Sequence, residues 1–209
     1  VNVITRTGRD LDGAELALAY QHPQSTREGR VSWGKVLDND VNVLVSASGM
    51  KSHGRDHYYD FGSSGVSGVA AGMDGARNHQ FFARASRGPW SMEVVHGERR
   101  KDDPTAAFFS DPLTSNQYQQ DAYSLAQFQY DEALADNTLK VAARVFGGRQ
   151  RYRSLFVFGG VPSLLLGSSN WHGAELRLIS TALAVVAYIW VTRAITEWRT
   201  KLREQMNRL

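Results

Sequence analysis

Three histidines are the first side chains whose type could do chemistry. His53 and His57 stand four residues apart, the spacing that on one helix face lets two imidazoles share a metal ion. Gly54 between them opposes a helix, so they read, with His79, as solvated histidines. Asp102-Asp103-Pro104 could hold a cation but reads as a turn initiator. Ser63-Ser64-Gly65 and Ser168-Ser169 offer hydroxyls with no base partner. The glycine-rich residues 65–75 follow no strand-to-helix pattern, which a phosphate cradle requires. Gly34-Lys35 is followed by Val36, and no Gly-x-x-x-x-Gly-Lys-[Ser/Thr] loop occurs. The expectation is a protein without catalytic residues, resident metal or cofactor.

Those side chains sit in a chain of 209 residues, with 42% hydrophobic content and a mean hydropathy of −0.37. That average looks soluble. It still permits a transmembrane β-barrel, whose strands give only every second residue to lipid. There is no Cys, hence no disulfide framework. The net charge of +3 comes from 24 basic and 21 acidic residues. Five basic and two acidic residues lie from Arg193 onward, leaving 19 of each elsewhere. The positive charge belongs to the tail and makes no nucleic-acid footprint. The chain begins at Val1 inside a strand-like run, which reads as a fragment.

Eight segments alternate apolar and polar side chains: residues 14–21, 30–36, 41–50, 79–86, 90–98, 123–131, 139–148 and 174–180. Short turns are expected at 37–40, 88–89 and 134–137. Long loops are expected at 52–77, 100–119 and 152–170. Antiparallel strands with short turns at one end and long loops at the other are the pattern of an outer-membrane barrel. A soluble sandwich could also use the alternation. The fold class expected is mainly β: an antiparallel up-and-down meander of about eight strands from a transmembrane β-barrel (residues 14–180), with a C-terminal α-helix (181–209). Glu15, Arg84, Glu93, Lys140, Arg144, Glu175 and Arg177 would then face the lumen, and the Ala-, Val- and aromatic-rich faces would meet membrane lipid. Tyr58, Tyr59, Phe61, Phe108, Phe109 and Tyr118 place aromatics in polar loops, where they could meet a small-molecule ligand or pack locally.

The first octet, Val1-Asn2-Val3-Ile4-Thr5-Arg6-Thr7-Gly8, resembles the last strand of the plug domain of TonB-dependent outer-membrane receptors. Residues 13–20, 27–34 and 98–105 look like early barrel strands and loops of that family, and the likeness extends to about residue 184. The resemblance implies residues 1–8 as the end of a plug, outer-membrane location, and uptake of a metal chelate or similar nutrient. It also implies a TonB-type energy-coupling complex as partner, although the segment that contacts it is absent here.

The period changes near Thr181. Residues 178–192 are fifteen without charge, between Arg177 and Arg193. As helix they span about 22 Å, short of the roughly 30 Å hydrocarbon core. Thr196-Glu197-Trp198-Arg199-Thr200-Lys201-Leu202-Arg203-Glu204-Gln205-Met206-Asn207 resembles a membrane-helix segment of half-size ABC exporters of the mitochondrial or heavy-metal-tolerance type. That likeness covers about residues 185–209. It implies an inner-membrane setting for the tail and an anion-contact role for Arg199 and Arg203. A solvated basic face beside an apolar stripe is the plainer alternative.

Overall fold

The computed structural model describes residues 6–134, 136 and 138–206; for Ser63, 181–183 and 200–206 only the backbone is described. Val1–Thr5, on which most of the octet's resemblance rests, lie outside the described residues. Thr7 does not extend a strand. Its hydroxyl caps the four-residue helix α1 (Gly8–Leu11), and the Asp10 carboxylate accepts from the Thr7 N–H at 2.7 Å. This reciprocal capping box satisfies two otherwise orphaned donors.

Among the described residues ten strands follow: β1 (Gly13–Gln21), β2 (Thr26–Val36), β3 (Asn42–Ser52), β4 (His57–Asp60), β5 (Ser67–Ala70), β6 (Ala76–Arg87), β7 (Trp90–Asp102), β8 (Tyr118–Leu134), β9 (Leu139–Phe158) and β10 (Val161–Ser180). Helix α2 (Thr181–Met206) ends the described chain. Eight strands form one antiparallel meander in the order β1-β2-β3-β6-β7-β8-β9-β10, while β4 and β5 form a separate hairpin. The sheet is not closed: β1 and β10 do not pair with each other. The fold is thus mainly β with one C-terminal helix, as the alternation predicted.

Turn chemistry fixes the parity. Gly88 takes φ +54° between Arg87 and Trp90, and at the other end Gly159 and Gly160 take +59° and +78° between Phe158 and Val161. Positive φ at both central residues makes Gly159-Gly160 a type I′ hairpin turn, and positive φ at the first central residue, Gly88 before Pro89, is the pattern of type II′. Residues 152–170, expected as a long loop, are therefore the tip and upper part of the β9–β10 hairpin. Arg149, Arg151 and Arg153 hid it, because a strand polar on both faces carries no hydrophobic period. The Gly-Gly pair was the available signal. Strands lengthen across the sheet, from 9 residues in β1 to 20 in β9 and β10.

Three register pairs on one face explain interior glycines. Gly97 faces Tyr123, Gly148 faces Trp171 and Gly173 faces Phe146. A Cβ on Gly148 would stand 2.4 Å from the Trp171 ring, and one on Gly97 2.7 Å from Tyr123. Each ring lies over its glycine, so the missing side chain is the space the aromatic occupies.

Candidate functional site

The sheet's two faces differ in kind. On one face stand Leu16, Leu18, Val31, Trp33, Met92, Trp90, Phe128, Val145, Leu176 and Leu178, all exposed, with Leu18 at 76% and Leu176 at 67%. Among the described residues no element covers them. Trp90 stacks on Phe128 at 5.1 Å and meets Tyr130 at 4.7 Å, an aromatic cluster at the short-turn end of the band.

This apolar band does not follow the hydrogen-bonded rows. The row through Leu16 runs Val31, Ala47, Phe81, His96, Ser124, Arg149 and Asn170, apolar at first and polar at the end. On β10 the band is centred on Leu176, six residues from Asn170. It therefore drifts six residues over seven strand-to-strand steps. With about 3.4 Å per residue and about 4.8 Å between strands, the strands incline by about 30° to the normal of the band. Membrane barrel strands tilt by about 35–45°.

The opposite face is polar and paired. It carries all seven residues singled out by alternation: Glu15, Arg84, Glu93, Lys140, Arg144, Glu175 and Arg177. Glu15 accepts from Arg30 at 2.6 Å and from Arg6 at 2.8 Å. Arg6 reaches it because the segment leading into α1 lies across this face: a Cβ on Gly34 would stand 2.7 Å from the Gly8 Cα, and one on Gly8 would stand 1.9 Å from the Val43 carbonyl oxygen. Ser32 and Ser46 share a hydrogen bond of 2.8 Å, and Gln127 donates to Glu93 at 3.4 Å. Glu175 lies between Arg144, at 2.6 Å, and Arg177. These groups form two separate clusters, one at β1–β2 and one at β9–β10, with Glu93 between them.

The long-loop end is knitted together. Asp74 accepts from the Lys101 ammonium and from the Arg55 N–H at 3.1 Å. Burial disfavours its charged form, but these two donors and the Lys101 charge outweigh it and hold the carboxyl below its usual range. Gln117 donates to the Asp111 carbonyl and accepts from the Val157 N–H, while the Asp111 carboxylate receives the Gly159 and Gly160 N–H groups at 2.8 and 2.6 Å. Loop residues 103–117 thereby close over Ser154 and Phe156, both buried.

The loop aromatics divide. Tyr58 and Phe109 are exposed, Phe109 at 99%. Tyr59 stacks on Phe61 at 5.7 Å, and Phe108 packs edge-on to Phe156 at 5.4 Å. Tyr118 is corrected: it opens β8, is 6% exposed, and lies under the Arg100 guanidinium at 3.7 Å. A 20-residue hairpin strand next door extends the pairing beyond the point where alternation faded. His79 lies beside His96, ring centroids 6.0 Å apart, and away from His57, which neighbours Tyr59. Among the described residues no three His, Asp or Glu side chains are grouped to hold a metal.

Helix α2 leaves the sheet at Ser180 and meets only β10 closely. Val186, Tyr188, Trp190 and Trp198 are all exposed. Thr192 and Thr196 donate to the carbonyls of Tyr188 and Thr192. Arg199 is exposed, and the Arg203 side chain lies outside the described residues. Among the described residues no helix is long and apolar enough to cross a membrane, which says nothing about strands.

No family model matches the chain, and no solved structure matches it. A stretch of 40 residues is 62% identical to an ATM1-type heavy metal exporter of Novosphingobium aromaticivorans, covering 19% of this chain and 7% of the exporter. The chain thus spans a small part of the length of the curated relative it matches. These findings correct the receptor resemblance: the likeness found is to an exporter, no receptor family matches, and Gly8 opens a helical turn where a plug strand was expected. The plug and coupling complex implied by that resemblance go with it.

Proposed function

We propose that residues 13–180 are part of the wall of an outer-membrane-type β-barrel, with the apolar band toward lipid and the paired polar face toward a lumen. The observation that carries this reading is the oblique course of the band. A flat apolar slab cut through tilted strands requires such a drift, whereas a face waiting for a second sheet has no reason to keep a constant slope. The unpaired edges of β1 and β10 fit a wall completed by further strands, since an open edge in lipid leaves backbone groups unsatisfied. The function we propose with this wall is passage of a small polar ligand. The charged clusters around Glu15 and Glu175 would line the passage, and Tyr58 and Phe109 would meet the ligand outside.

Tryptophan quenching tests the reading. In single-Trp variants reconstituted into vesicles, brominated acyl chains should quench Trp33 and Trp90 strongly and Trp171 weakly. Equal quenching of Trp90 and Trp171, or a stable monomer in detergent-free buffer, sinks it. A second reading concerns the tail alone: α2 is a piece of an exporter membrane segment joined to an unrelated β-sheet. The resemblance of residues 196–207 to such a segment motivates it, and a 40-residue exporter likeness exists in the chain. Recovery of the chain in the inner membrane would favour it.

A further inference from the structure

Directly beyond the apolar band, on the same face of β9, stand Arg149, Arg151 and Arg153. All three are exposed. Among the described residues no carboxylate lies within ion-pair distance of any of them, in contrast to Arg100 beside Asp102 and Arg144 beside Glu175. Ser168 and Asn170 of β10 are the register partners of Arg151 and Arg149, and Gln120 of β8 is that of Arg153. Arg151, Arg153, Gln120 and Ser168 line a shallow hollow of about 400 Å³, in which Glu98 is the acidic residue. The set is a group of cationic and neutral donors with one acidic residue at its margin.

Its height follows from the band. Arg149 is six residues above Ala143, the band's centre on β9. At about 3.4 Å per residue and about 30° of inclination, that is about 18 Å from the midline. Half the hydrocarbon core is about 15 Å, and the headgroup zone ends about 20–22 Å out. Arg149 therefore falls among headgroups; by the same measure Arg151 stands about 24 Å and Arg153 about 29 Å from the midline, so the flexible stem of Arg151 lets its guanidinium group reach down into that zone while Arg153 extends the ladder into the water above it. Planar guanidinium groups take phosphate oxygens bidentately, and Ser168 and Asn170 add neutral donors.

We propose that this arginine ladder is a binding site for the phosphate monoester of a lipid headgroup in the outer leaflet, anchoring the sheet at the membrane rim. The proposal rests on the reading of the sheet as a barrel wall. The apolar band immediately below selects a lipid over a free anion, because only a lipid engages both surfaces at once.

The test uses the full chain with three vesicle compositions: phosphatidylcholine alone, phosphatidylcholine with phosphatidic acid, and phosphatidylcholine with the corresponding diacylglycerol. Wild type should float with all three and bind the phosphatidic acid vesicles about tenfold more tightly or better. The variant R149Q/R151Q/R153Q should still float with phosphatidylcholine, keep its strand circular dichroism, and lose the preference. A variant with the same charge loss on the opposite face, R84Q/R99Q/K140Q, should keep it. Absence of a phosphatidic acid preference in wild type, its survival in the first variant, or its equal loss in the second overturns the site while leaving the wall reading intact. Tight binding of inorganic phosphate by the protein in detergent overturns the lipid assignment. Failure to float with phosphatidylcholine at all overturns the wall reading, and this site with it.

Discussion

The sheet's two faces share one backbone and one register, yet they are stabilised in different ways. The polar face, inner in the proposed wall, satisfies itself: Glu15 and Glu175 have guanidinium partners, Glu93 accepts from Gln127, Ser32 pairs with Ser46, and rings cover glycines. The apolar face, outer in the proposed wall, has no partner among the described residues, and its leucines, valines and tryptophans stand bare. In water, a bare strip this wide is an association surface. In lipid, it needs no protein cover. The contrast teaches that the polar side specifies the sheet's internal geometry and the apolar side specifies its surroundings.

The largest effect should come from charging the bare face. Val145→Arg, in the middle of the band, is expected to cost about 2–4 kcal/mol of folding free energy in vesicles. Gln127→Arg, on the inner face beside Glu93, should stay within about 0.5 kcal/mol. Denaturant titration of the reconstituted protein measures both, and equal costs would erase the distinction between the faces. Next comes packing on the inner face. Gly148→Val drives a side chain into the Trp171 ring and should cost about 1–3 kcal/mol. Gly147→Ala, on the bare face with its nearest contact at 3.7 Å, should be close to neutral.

Glu175→Gln should cost roughly 1 kcal/mol or less, because its two arginine partners are well solvated. A double-mutant cycle with Arg144→Gln isolates the pair; a coupling energy of zero would demote it to a crystallographic-style surface contact. The smallest effect is confined to the loops. The Asp74 carboxyl is held below its ordinary pKa of 3.8. Its contribution is present above that value and is lost as pH falls through the lower folded value. Amide exchange of residues 53–75 should therefore accelerate in acid, and Asp74→Asn should remove that step. Unchanged acid sensitivity in the variant would assign it to another group.

Much of the sheet was legible in the sequence. Alternation through residues 14–20, 43–47, 141–145 and 174–178 put the charged and the apolar side chains on opposite faces before any register was known, because the side-chain period of a strand is two. Upper β9 was not legible, since Arg149, Gln150, Arg151 and Tyr152 are polar on both faces. The arginine ladder was missed for the same reason.

The sequence by itself determined the strand period, the short turn at Gly88 and the helical change of period at Thr181, all of which depend on local backbone and side-chain preferences. Tertiary structure alone decided which residues stand in one row, that the apolar band crosses those rows obliquely, and that Arg149 shares a row with Leu16 yet lies beyond the band. Those facts depend on register summed over seven strand pairs, and no local pattern carries that sum.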